Sequence, residues 1–203
     1  MDLFESETGT VRNLLPCDGV VNYHGPIMTR GEADRFYDAL MSEIGWQHDQ
    51  AIMFGKLVVT KRKVAWYADW PASYTYSKIT KTAQLWTQTL LELRGLVQRH
   101  SGEEYNSCLL NLYHDGSEGM AWHSDAERDL KRDGAIGSLS FGAERKFALK
   151  HKRSKETVSK ALEHGSLLVM KGTTQTHWLH RIPPTKTILS ARINLTFRSL
   201  SPS

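Results

Sequence analysis

Apolar residues at helical spacing mark two segments in the first half of the chain. Phe36, Leu40 and Ile44 follow one another at intervals of one helical turn, which predicts a helix over residues 31–45. The preceding segment Thr29–Glu32 has the form of a capping box, because a glutamate follows the threonine by three residues. A second helix is predicted near residues 82–100 by four apolar residues along one face, Trp86, Leu90, Leu93 and Val97.

The second half of the chain has the pattern of short strands. After residue 105, strand-like segments alternate with glycine, proline, serine or charged turns, which is typical of a barrel or jelly roll. Residues 120–129 read as a polar loop between them. Earlier in the chain we predict a strand at Gly19–Tyr23 and a hairpin or irregular sheet over residues 50–70, with a basic side. The later strand-like segments are SCLLNLYH, AIGSLSFG, RKFALKH, GSLLVMKG, THWLHRI and ILSARINLTFRSL.

The composition is that of an ordinary globular protein. The 203 residues suit one domain, with 40% hydrophobic and 24% charged residues and a formal net charge of +4, which permits a polyanionic partner without requiring one. Cys17 and Cys108 are far apart, so neither a disulfide framework nor a thiolate zinc site is expected. The N-terminus lacks the basic and apolar blocks of a signal, and no apolar run approaches the roughly 20 residues of a membrane span. We therefore expect a monomer without a membrane segment, located in the cytoplasm, or in the nucleus of a eukaryote.

The last strand-like segment alternates between polar and apolar residues. Its period of two separates three apolar residues from four polar ones, Arg192, Asn194, Thr196 and Arg198. Two arginines inside a barrel would repel each other unless a dianion lay between them, and guanidinium groups suit carboxylates. The alternative is a solvent-exposed face, and the pattern alone does not decide. Asn111 and Tyr113 share a polar face in the same way.

Metal-binding residue types occur in the expected polar loop. The stretch MAWHSDAERD places His123 two residues before Asp125 and directly behind Trp122. Such a tripeptide also occurs by chance, but two histidines and a carboxylate form the facial triad of non-haem Fe(II) oxygenases. A dicarboxylate that chelates iron through its keto acid end needs a cation at its far end, which the strand arginines could supply. For the second histidine the spacing leaves three candidates, His164, His177 and His180.

In this combination the motifs resemble the AlkB family of Fe(II)- and 2-oxoglutarate-dependent dioxygenases, in particular its second and third animal homologues, which demethylate nucleic acids. The resemblance implies an α+β fold: a double-stranded β-helix (jelly-roll) core with N-terminal helices and a nucleotide-recognition lid. It implies a single domain over residues 1–203, with an N-terminal extension and helix (1–49), the lid (50–79) and a helix plus jelly-roll catalytic core (80–203). The stretches that carry it are NLYHDGSEGMAWHSDAE, SLSFGAERKF, HGSLLVMKGTTQTHWLHRIP and ARINLTFR.

The resemblance also assigns the metal and co-substrate residues. It makes His123, Asp125 and His180 the iron ligands, and so selects His180 among the three candidates. It does not decide which arginine faces which carboxylate of 2-oxoglutarate. Trp122 is expected to pack beneath the metal loop. The residues that it assigns to 2-oxoglutarate are Asn111, Tyr113, Arg192, Asn194 and Arg198.

Contacts to the nucleic acid are implied by three further matches. In Tyr74-Thr75-Tyr76-Ser77, Tyr76 would stack on the target base opposite His123, and Tyr74 would contact the site from above; ordinary sheet tyrosines are the alternative. Glu127 matches an acidic residue near the base edge, or is a salt-bridged surface residue. The implied substrate-binding residues are Phe54, Arg62, Tyr74, Tyr76, Ser77 and Glu127.

The basic hairpin has its own match in the family. Met53-Phe54-Gly55-Lys56 resembles a hydrophobic finger that fills the gap left by a flipped base, with Phe54 as the wedge, although a core phenylalanine is the alternative. The neighbouring basic cluster would then contact phosphates rather than form an ordinary solvated face. This cluster consists of Lys56, Lys61, Arg62 and Lys63.

The implied activity is oxidative demethylation of N-alkylated bases such as 1-methyladenine and 3-methylcytosine in DNA. It would use Fe(2+), 2-oxoglutarate and O2, and release formaldehyde, succinate and CO2. The alternatives are an RNA or tRNA substrate, hydroxylation of a protein, and a non-catalytic nucleic-acid-binding module. The intact triad and both arginines disfavour the binding module, and the matches at Tyr76 and Phe54 disfavour protein hydroxylation.

Overall fold

The computed structural model describes residues 12–53, 56–76, 79–125, 127 and 129–201. The helices are α1 (Arg30–Glu43), α2 (Gln88–Ser101) and α3 (Thr174–His177). The strands of the first half are β1 (Val20–Pro26), β2 (Gln47–Met53), β3 (Lys56–Ala68), β4 (Ser73–Tyr76), β5 (Ile79–Thr82) and β6 (Gln84–Leu85). The strands of the second half are β7 (Ser107–Tyr113), β8 (Met120–His123), β9 (Ile136–Gly142), β10 (Arg145–His151), β11 (Thr157–Leu162), β12 (Ser166–Lys171), β13 (Trp178–Ile182) and β14 (Arg192–Arg198).

The capping box before α1 is confirmed. Thr29 Oγ1 accepts the Glu32 backbone N–H at 3.3 Å, and the Glu32 carboxylate accepts the Thr29 N–H at 2.8 Å. The second helix begins later than predicted, because residues 84 and 85 pair with β3 as strand β6 and Thr87 caps the first turn. It ends at Ser101 and is capped by Gly102, whose φ of 69° is the left-handed conformation that glycine adopts without strain. Within the described ranges, no helix combines the length and the apolar content that crossing a bilayer requires.

Two facing sheets form the centre of the molecule. The larger has the strand order β1-β12-β9-β14-β7-β3-β2, with β6 beside β3, and the smaller has the order β11-β10-β13-β8. Strands β4 and β5 form a separate hairpin. The neighbouring strands of the two sheets are antiparallel, except that β3 and β6 are parallel.

The centre of the larger sheet is buried on both of its faces. In β12, Leu167 and Val169 pack in one apolar cluster with both long helices. Leu168 and Met170 pack in another with residues of the smaller sheet, such as Phe147. Helices therefore cover the outer face of the larger sheet and the smaller sheet covers its inner face. This arrangement confirms the expected jelly roll with N-terminal helices.

Three features differ from the sequence-based expectation. Residues 120–123 form strand β8 rather than a loop, and β11 was not predicted, because its alternation of exposed and half-buried residues gives little apolar signal. Strand β3 lies within the segment expected to form a lid (50–79), yet its residues 63–68 pair with β7 in the larger sheet. Half of this long strand is therefore part of the core.

Candidate active site

A cavity of about 350 Å³ lies between the two sheets, beside the polar face of β14. Arg192 is 1% exposed and Thr196 is 8% exposed, which excludes the solvent-exposed alternative. On the opposite face Ile193, Leu195 and Phe197 are fully buried against the helices, so the predicted division of the strand is confirmed. The residues assigned above that line this cavity are Asn111, Tyr113, His123, Asp125, Glu127, His180, Arg192, Asn194 and Arg198, together with Arg62.

Three potential metal ligands meet at one end of the cavity. Strand register pairs His123 of β8 directly with His180 of β13, and their ring centroids are 4.2 Å apart. Asp125 follows β8 after a single residue, and one of its carboxylate oxygens lies 3.8 Å from His123 Nε2. One ligand atom from each residue lies within 4.8 Å of the other two. Of the other candidate histidines, His164 lies against Asp34 and His177 stacks on His151.

The protonation states of these residues suit a divalent cation. His123 Nδ1 lies 2.8 Å from the Ala121 carbonyl oxygen, so Nδ1 donates its proton there and Nε2 keeps a free lone pair. Burial lowers the pKa of His180 to about 4, which leaves this imidazole neutral at neutral pH. Burial acts to raise the pKa of Asp125, but the Arg198 guanidinium and the two imidazoles outweigh it, so the pKa lies below its ordinary value.

Neighbouring side chains hold the Asp125 carboxylate in place. Arg198 Nη2 donates to Asp125 Oδ2 at 2.8 Å, in a pair whose members are 13% and 4% exposed. Burial acts to lower the pKa of Arg198, but the Asp125 and Glu127 carboxylates raise it above its ordinary value. Gln175 accepts the Asp125 backbone N–H at 2.9 Å. Such outer partners orient metal ligands, and Arg198 therefore acts next to the candidate metal position.

Arg192 lies at the end of the polar face away from Asp125 and has unused donors. Its Nη2 donates to Ser140 Oγ at 2.9 Å and to Asn194 Oδ1 at 2.7 Å. Its Nε and Nη1 are buried without a hydrogen-bond partner, as is Asn111 Oδ1. Burial lowers the pKa of Arg192 to about 10, so the side chain is still a cation at neutral pH. A buried cation with two free donors is costly unless an anion binds it.

These residues fit the two groups that the sequence implies. Two imidazoles and one carboxylate are a donor set for Fe(II) that leaves further coordination positions for other ligands. The orphaned donors of Arg192, and the unpaired Nε of Arg198, fit an elongated dicarboxylate such as 2-oxoglutarate.

Arg62 does not lie where the sequence pattern placed it. Its side chain is 8% exposed and turns into the cavity, where it pairs with Asp49 and donates to Met120 Sδ at 3.0 Å. Lys61, next to it on the strand, is exposed, because neighbouring strand residues face opposite sides. The prediction that Arg62 belongs to a basic surface is therefore wrong, whereas a role for Arg62 beside the cavity is compatible with the structure.

The other substrate residues are described only in part. Glu127 is exposed at the rim of the cavity. Tyr74 and Tyr76 lie in β4, paired with Lys81 and Ile79 of β5, but their side chains are outside the described part of the structure. Phe54 and Ser77 lie outside the described residues altogether, as does the Lys56 side chain.

Trp122 does not pack beneath the metal loop. It lies on β8 next to His123 and therefore faces the opposite side of the smaller sheet. There Arg181 and Lys150 lie 4.4 and 4.6 Å from its ring centroid. The expectation was wrong because residues 120–123 form a strand, whose alternation turns Trp122 away from the cavity.

Several site residues were missed by the sequence analysis. Ser140 holds Arg192, and Ser138 Oγ donates to Asn194 Oδ1 at 2.9 Å. Their alternation with Leu139 and Phe141 in the segment SLSF is the same polar and apolar pattern as in β14, so strand periodicity could have found them. Gln175 carries no such signal, because it reaches Asp125 only through the fold.

Comparison with known proteins agrees with this geometry. The model of the 2OG-Fe(II) oxygenase superfamily matches residues 19–198. The chain is 36% identical over 200 residues to DNA oxidative demethylase ALKBH2 of Mus musculus, covering 93% of this chain and 82% of the mouse protein. It is 37% identical over 207 residues to alpha-ketoglutarate-dependent dioxygenase alkB homolog 3 of Bos taurus, covering 97% of this chain and 69% of the bovine protein.

The fold is also similar to solved structures. The structure of OsALKBH1 matches with a TM-score of 0.61 at 14% identity, covering 94% of this chain and 100% of that chain. A 2OG-Fe(II) oxygenase family protein from Burkholderia pseudomallei matches with a TM-score of 0.57 at 16% identity, covering 89% of this chain and 84% of the bacterial protein. At these identities the likeness concerns the fold alone. With the family model and the closer sequence relatives, the chain belongs to the AlkB family of Fe(II)- and 2-oxoglutarate-dependent dioxygenases.

Proposed function

We propose that this enzyme oxidatively removes methyl groups from N-alkylated bases in DNA, such as 1-methyladenine and 3-methylcytosine, and releases formaldehyde, succinate and CO2. The observation that carries the proposal is the group of His123, Asp125 and His180 beside a cavity with unused arginine donors. The name of the mouse relative, DNA oxidative demethylase, supports DNA as the substrate.

Iron is held by the two imidazoles and the Asp125 carboxylate, with Nε2 of His123 as one ligand atom. Iron held there, with 2-oxoglutarate and O2 as co-substrates, would supply the oxidising power for hydroxylation of an N-methyl group, whose carbon is released as formaldehyde. Arg198 keeps Asp125 ionised and oriented, and Gln175 holds the backbone of the same residue. Because the pKa values of His180 and Asp125 are lowered, these two ligands need no proton loss at neutral pH.

The two arginines divide the carboxylates of 2-oxoglutarate between them. Arg192 binds the carboxylate far from the metal, because its Nε and Nη1 are buried without partners and Tyr113 lies beside it, with the guanidinium 5.5 Å from the ring centroid. Arg198 faces the keto acid end, because it already contacts Asp125. Asn111 and Asn194 complete the polar surface between them.

The target base is bound between the lid and the metal. Tyr76 stacks on the base opposite His123, Tyr74 and Ser77 contact the site from the lid over residues 50–79, and Glu127 at the rim meets the base edge. A methyl group on N1 of adenine or N3 of cytosine blocks the pairing face, which lowers the cost of extruding the base. Arg62 lies in the same cavity and contacts the entering nucleotide.

Phe54 fills the gap that the flipped base leaves in a duplex. An apolar wedge recovers part of the stacking that is lost on extrusion. One chain supplies every residue invoked in this site, and we propose that the enzyme acts as a monomer in the cytoplasm or nucleus.

The test is mass spectrometry of methylated oligonucleotides after incubation with enzyme, iron and 2-oxoglutarate. Single-stranded DNA, duplex DNA and RNA with the same lesion are compared, and His123→Ala is the inactive control. Loss of 14 mass units per lesion (about one CH2, the net change on replacing methyl by hydrogen, as the cofactor chemistry requires) with DNA supports the proposal. Activity confined to RNA, or no succinate release by the wild type, contradicts it.

The same assay tests the wedge. Phe54→Ala is expected to lose activity on duplex DNA and to keep its activity on single strands, because only the duplex needs a gap to be filled. Unchanged duplex activity in this variant would remove Phe54 from the site.

A further inference from the structure

A second group of potential metal ligands lies away from the iron ligands. The Cys17 thiol, the Asp18 carboxylate and the His151 imidazole each offer one ligand atom, and these atoms all lie within 4.8 Å of one another. Cys17 and Asp18 precede β1, whereas His151 ends β10. The group shares no residue with His123, Asp125 and His180. It joins two parts of the chain that are far apart in sequence.

The backbone around Cys17 is held in place by the fold. Trp178 Nε1, from a residue that is 1% exposed, donates to the Cys17 carbonyl oxygen at 3.1 Å. On the other side, a Cβ added to Gly19 would lie 2.7 Å from Thr174 Oγ1, so the chain there approaches α3 as closely as glycine allows. Cys17 and Asp18 are thus fixed between two anchored points and are presented to His151 before any ligand binds.

His151 is the observation that points to a ligand. The residue is 4% exposed, and its Nε2 is buried without a hydrogen-bond partner. Asp18 Oδ2 lies 3.1 Å from Nε2, but the pair does not have hydrogen-bond geometry. Apart from this ion pair Nε2 makes no hydrogen bond, which is costly for a buried nitrogen, and a metal ion between Nε2, the thiol and the carboxylate would use it.

The other ring nitrogen can support this role. His151 Nδ1 lies 2.9 Å from Ser154 Oγ and accepts the Ser154 backbone N–H at 3.0 Å. Metal binding at Nε2 would require the tautomer in which the ring proton has moved, through solvent, from Nε2 to Nδ1, and Nδ1 would then donate it to Ser154 Oγ. Ser154 is exposed, so water can accept its backbone N–H. A hydrogen-bonded second nitrogen is the usual arrangement for a ligating histidine.

The charges around the thiol favour a cation. Desolvation and the nearby Asp18 and Glu156 carboxylates raise the pKa of the Cys17 thiol, and they outweigh the opposite effect of Arg153. The same negative field attracts a divalent ion, which then displaces the thiol proton into solvent. Thiolate, imidazole and carboxylate are the ligand types of Zn²⁺, and the exposure of Cys17 leaves a fourth position for water.

We propose that Cys17, Asp18 and His151 bind Zn²⁺ at a second, structural site that ties the segment before β1 to the end of β10. The expectation that this chain has no thiolate zinc site rested on cysteine spacing. Spacing could not reveal the group, because a single cysteine and ligands from distant segments form it.

Cobalt(II) added to the metal-free enzyme tests the site, since Co²⁺ takes zinc positions and a thiolate ligand gives it a near-ultraviolet charge-transfer absorption. The iron ligands contain no sulfur and cannot produce this band. We expect the band in the wild type, its loss in Cys17→Ser and His151→Gln, and its retention in Cys108→Ala, where the other cysteine is removed. Absence of the band in the wild type, or its persistence in Cys17→Ser, would overturn the proposal.

Zinc content gives a second readout. After dialysis against Zn²⁺, two ions per wild-type chain and one per Cys17→Ser chain are expected, because zinc also occupies the iron ligands. One ion in both proteins contradicts the site. Cys17 is exposed, so Cys17→Ser is expected to fold normally by circular dichroism and to keep its activity once loaded with iron.

Discussion

The neutral, buried His180 makes the stability of the metal-free protein depend on pH in a defined window. Burial lowers its pKa from 6.5 to about 4. One unit of pKa corresponds to about 1.4 kcal/mol, so this lowering corresponds to about 3 kcal/mol. Because the folded state has the lower pKa, the unfolded chain binds the proton first. The contribution is complete above pH 6.5 and is lost as the pH falls to about 4.

Urea unfolding in the presence of a chelator measures this contribution at successive pH values between 7 and 4. His180→Gln removes the titrating group and keeps a side chain of similar reach. The difference in the free energy of unfolding between wild type and His180→Gln is expected to change by about 3 kcal/mol across the window. His177→Gln is the matched control, since His177 is half-buried and lies outside the iron ligands.

Two results would refute this reasoning. If the curves of wild type and His180→Gln stay parallel between pH 6.5 and 4, burial does not lower the pKa of His180. If His177→Gln changes the pH dependence as much as His180→Gln does, the effect does not come from the burial of His180. Asp125 is present in all three proteins and loses its own contribution at lower pH, since its pKa is lowered from 3.8.

Three further perturbations test the co-substrate site and the fold. Arg192→Met should weaken 2-oxoglutarate binding by roughly 30-fold or more, because a buried carboxylate would lose its cation. Calorimetry on metal-loaded enzyme under nitrogen measures this affinity. An unchanged affinity would mean that neither carboxylate of 2-oxoglutarate binds Arg192. Leu195→Ala should lower the free energy of unfolding by about 2 to 5 kcal/mol, because the side chain is fully buried between sheet and helices. A loss below about 1 kcal/mol in urea, the size typical of a surface substitution, would contradict this packing. Thr29→Ala should lower the free energy of unfolding by about 1 kcal/mol through loss of the helix cap, whereas Thr29→Ser should keep most of the wild-type stability. If Thr29→Ala and Thr29→Ser are equally stable in urea, the side chain at this position does not cap the helix.

Local patterns were sufficient wherever one segment contains the whole signal. The capping box at Thr29 and the apolar face of α1 depend on residues within a few positions of one another. The same holds for β14, where alternation alone separates Arg192 and Arg198 from the buried apolar residues. Helical and strand periods are properties of the backbone, so these predictions needed no knowledge of the partner elements.

Other elements depended on their neighbours and were missed or misplaced. Residues 120–129 as a whole look polar, yet the first four form β8, because they pair with the edge of β13. The start of α2 moved because residues 84 and 85 pair with β3. In both cases tertiary hydrogen bonds outweighed the local preference.

The sequence by itself determined the residue types of the site and the polar faces of β7 and β14, since both follow from order along the chain. Only the tertiary structure decided which of them meet. The register of β8 against β13 brings His123 to His180, and the packing of Cys17 against Trp178 brings that thiol to His151. The reason is physical. Contacts between distant segments depend on strand register and on closure of the intervening chain, and the local spacing of apolar and polar residues contains no information on register or closure.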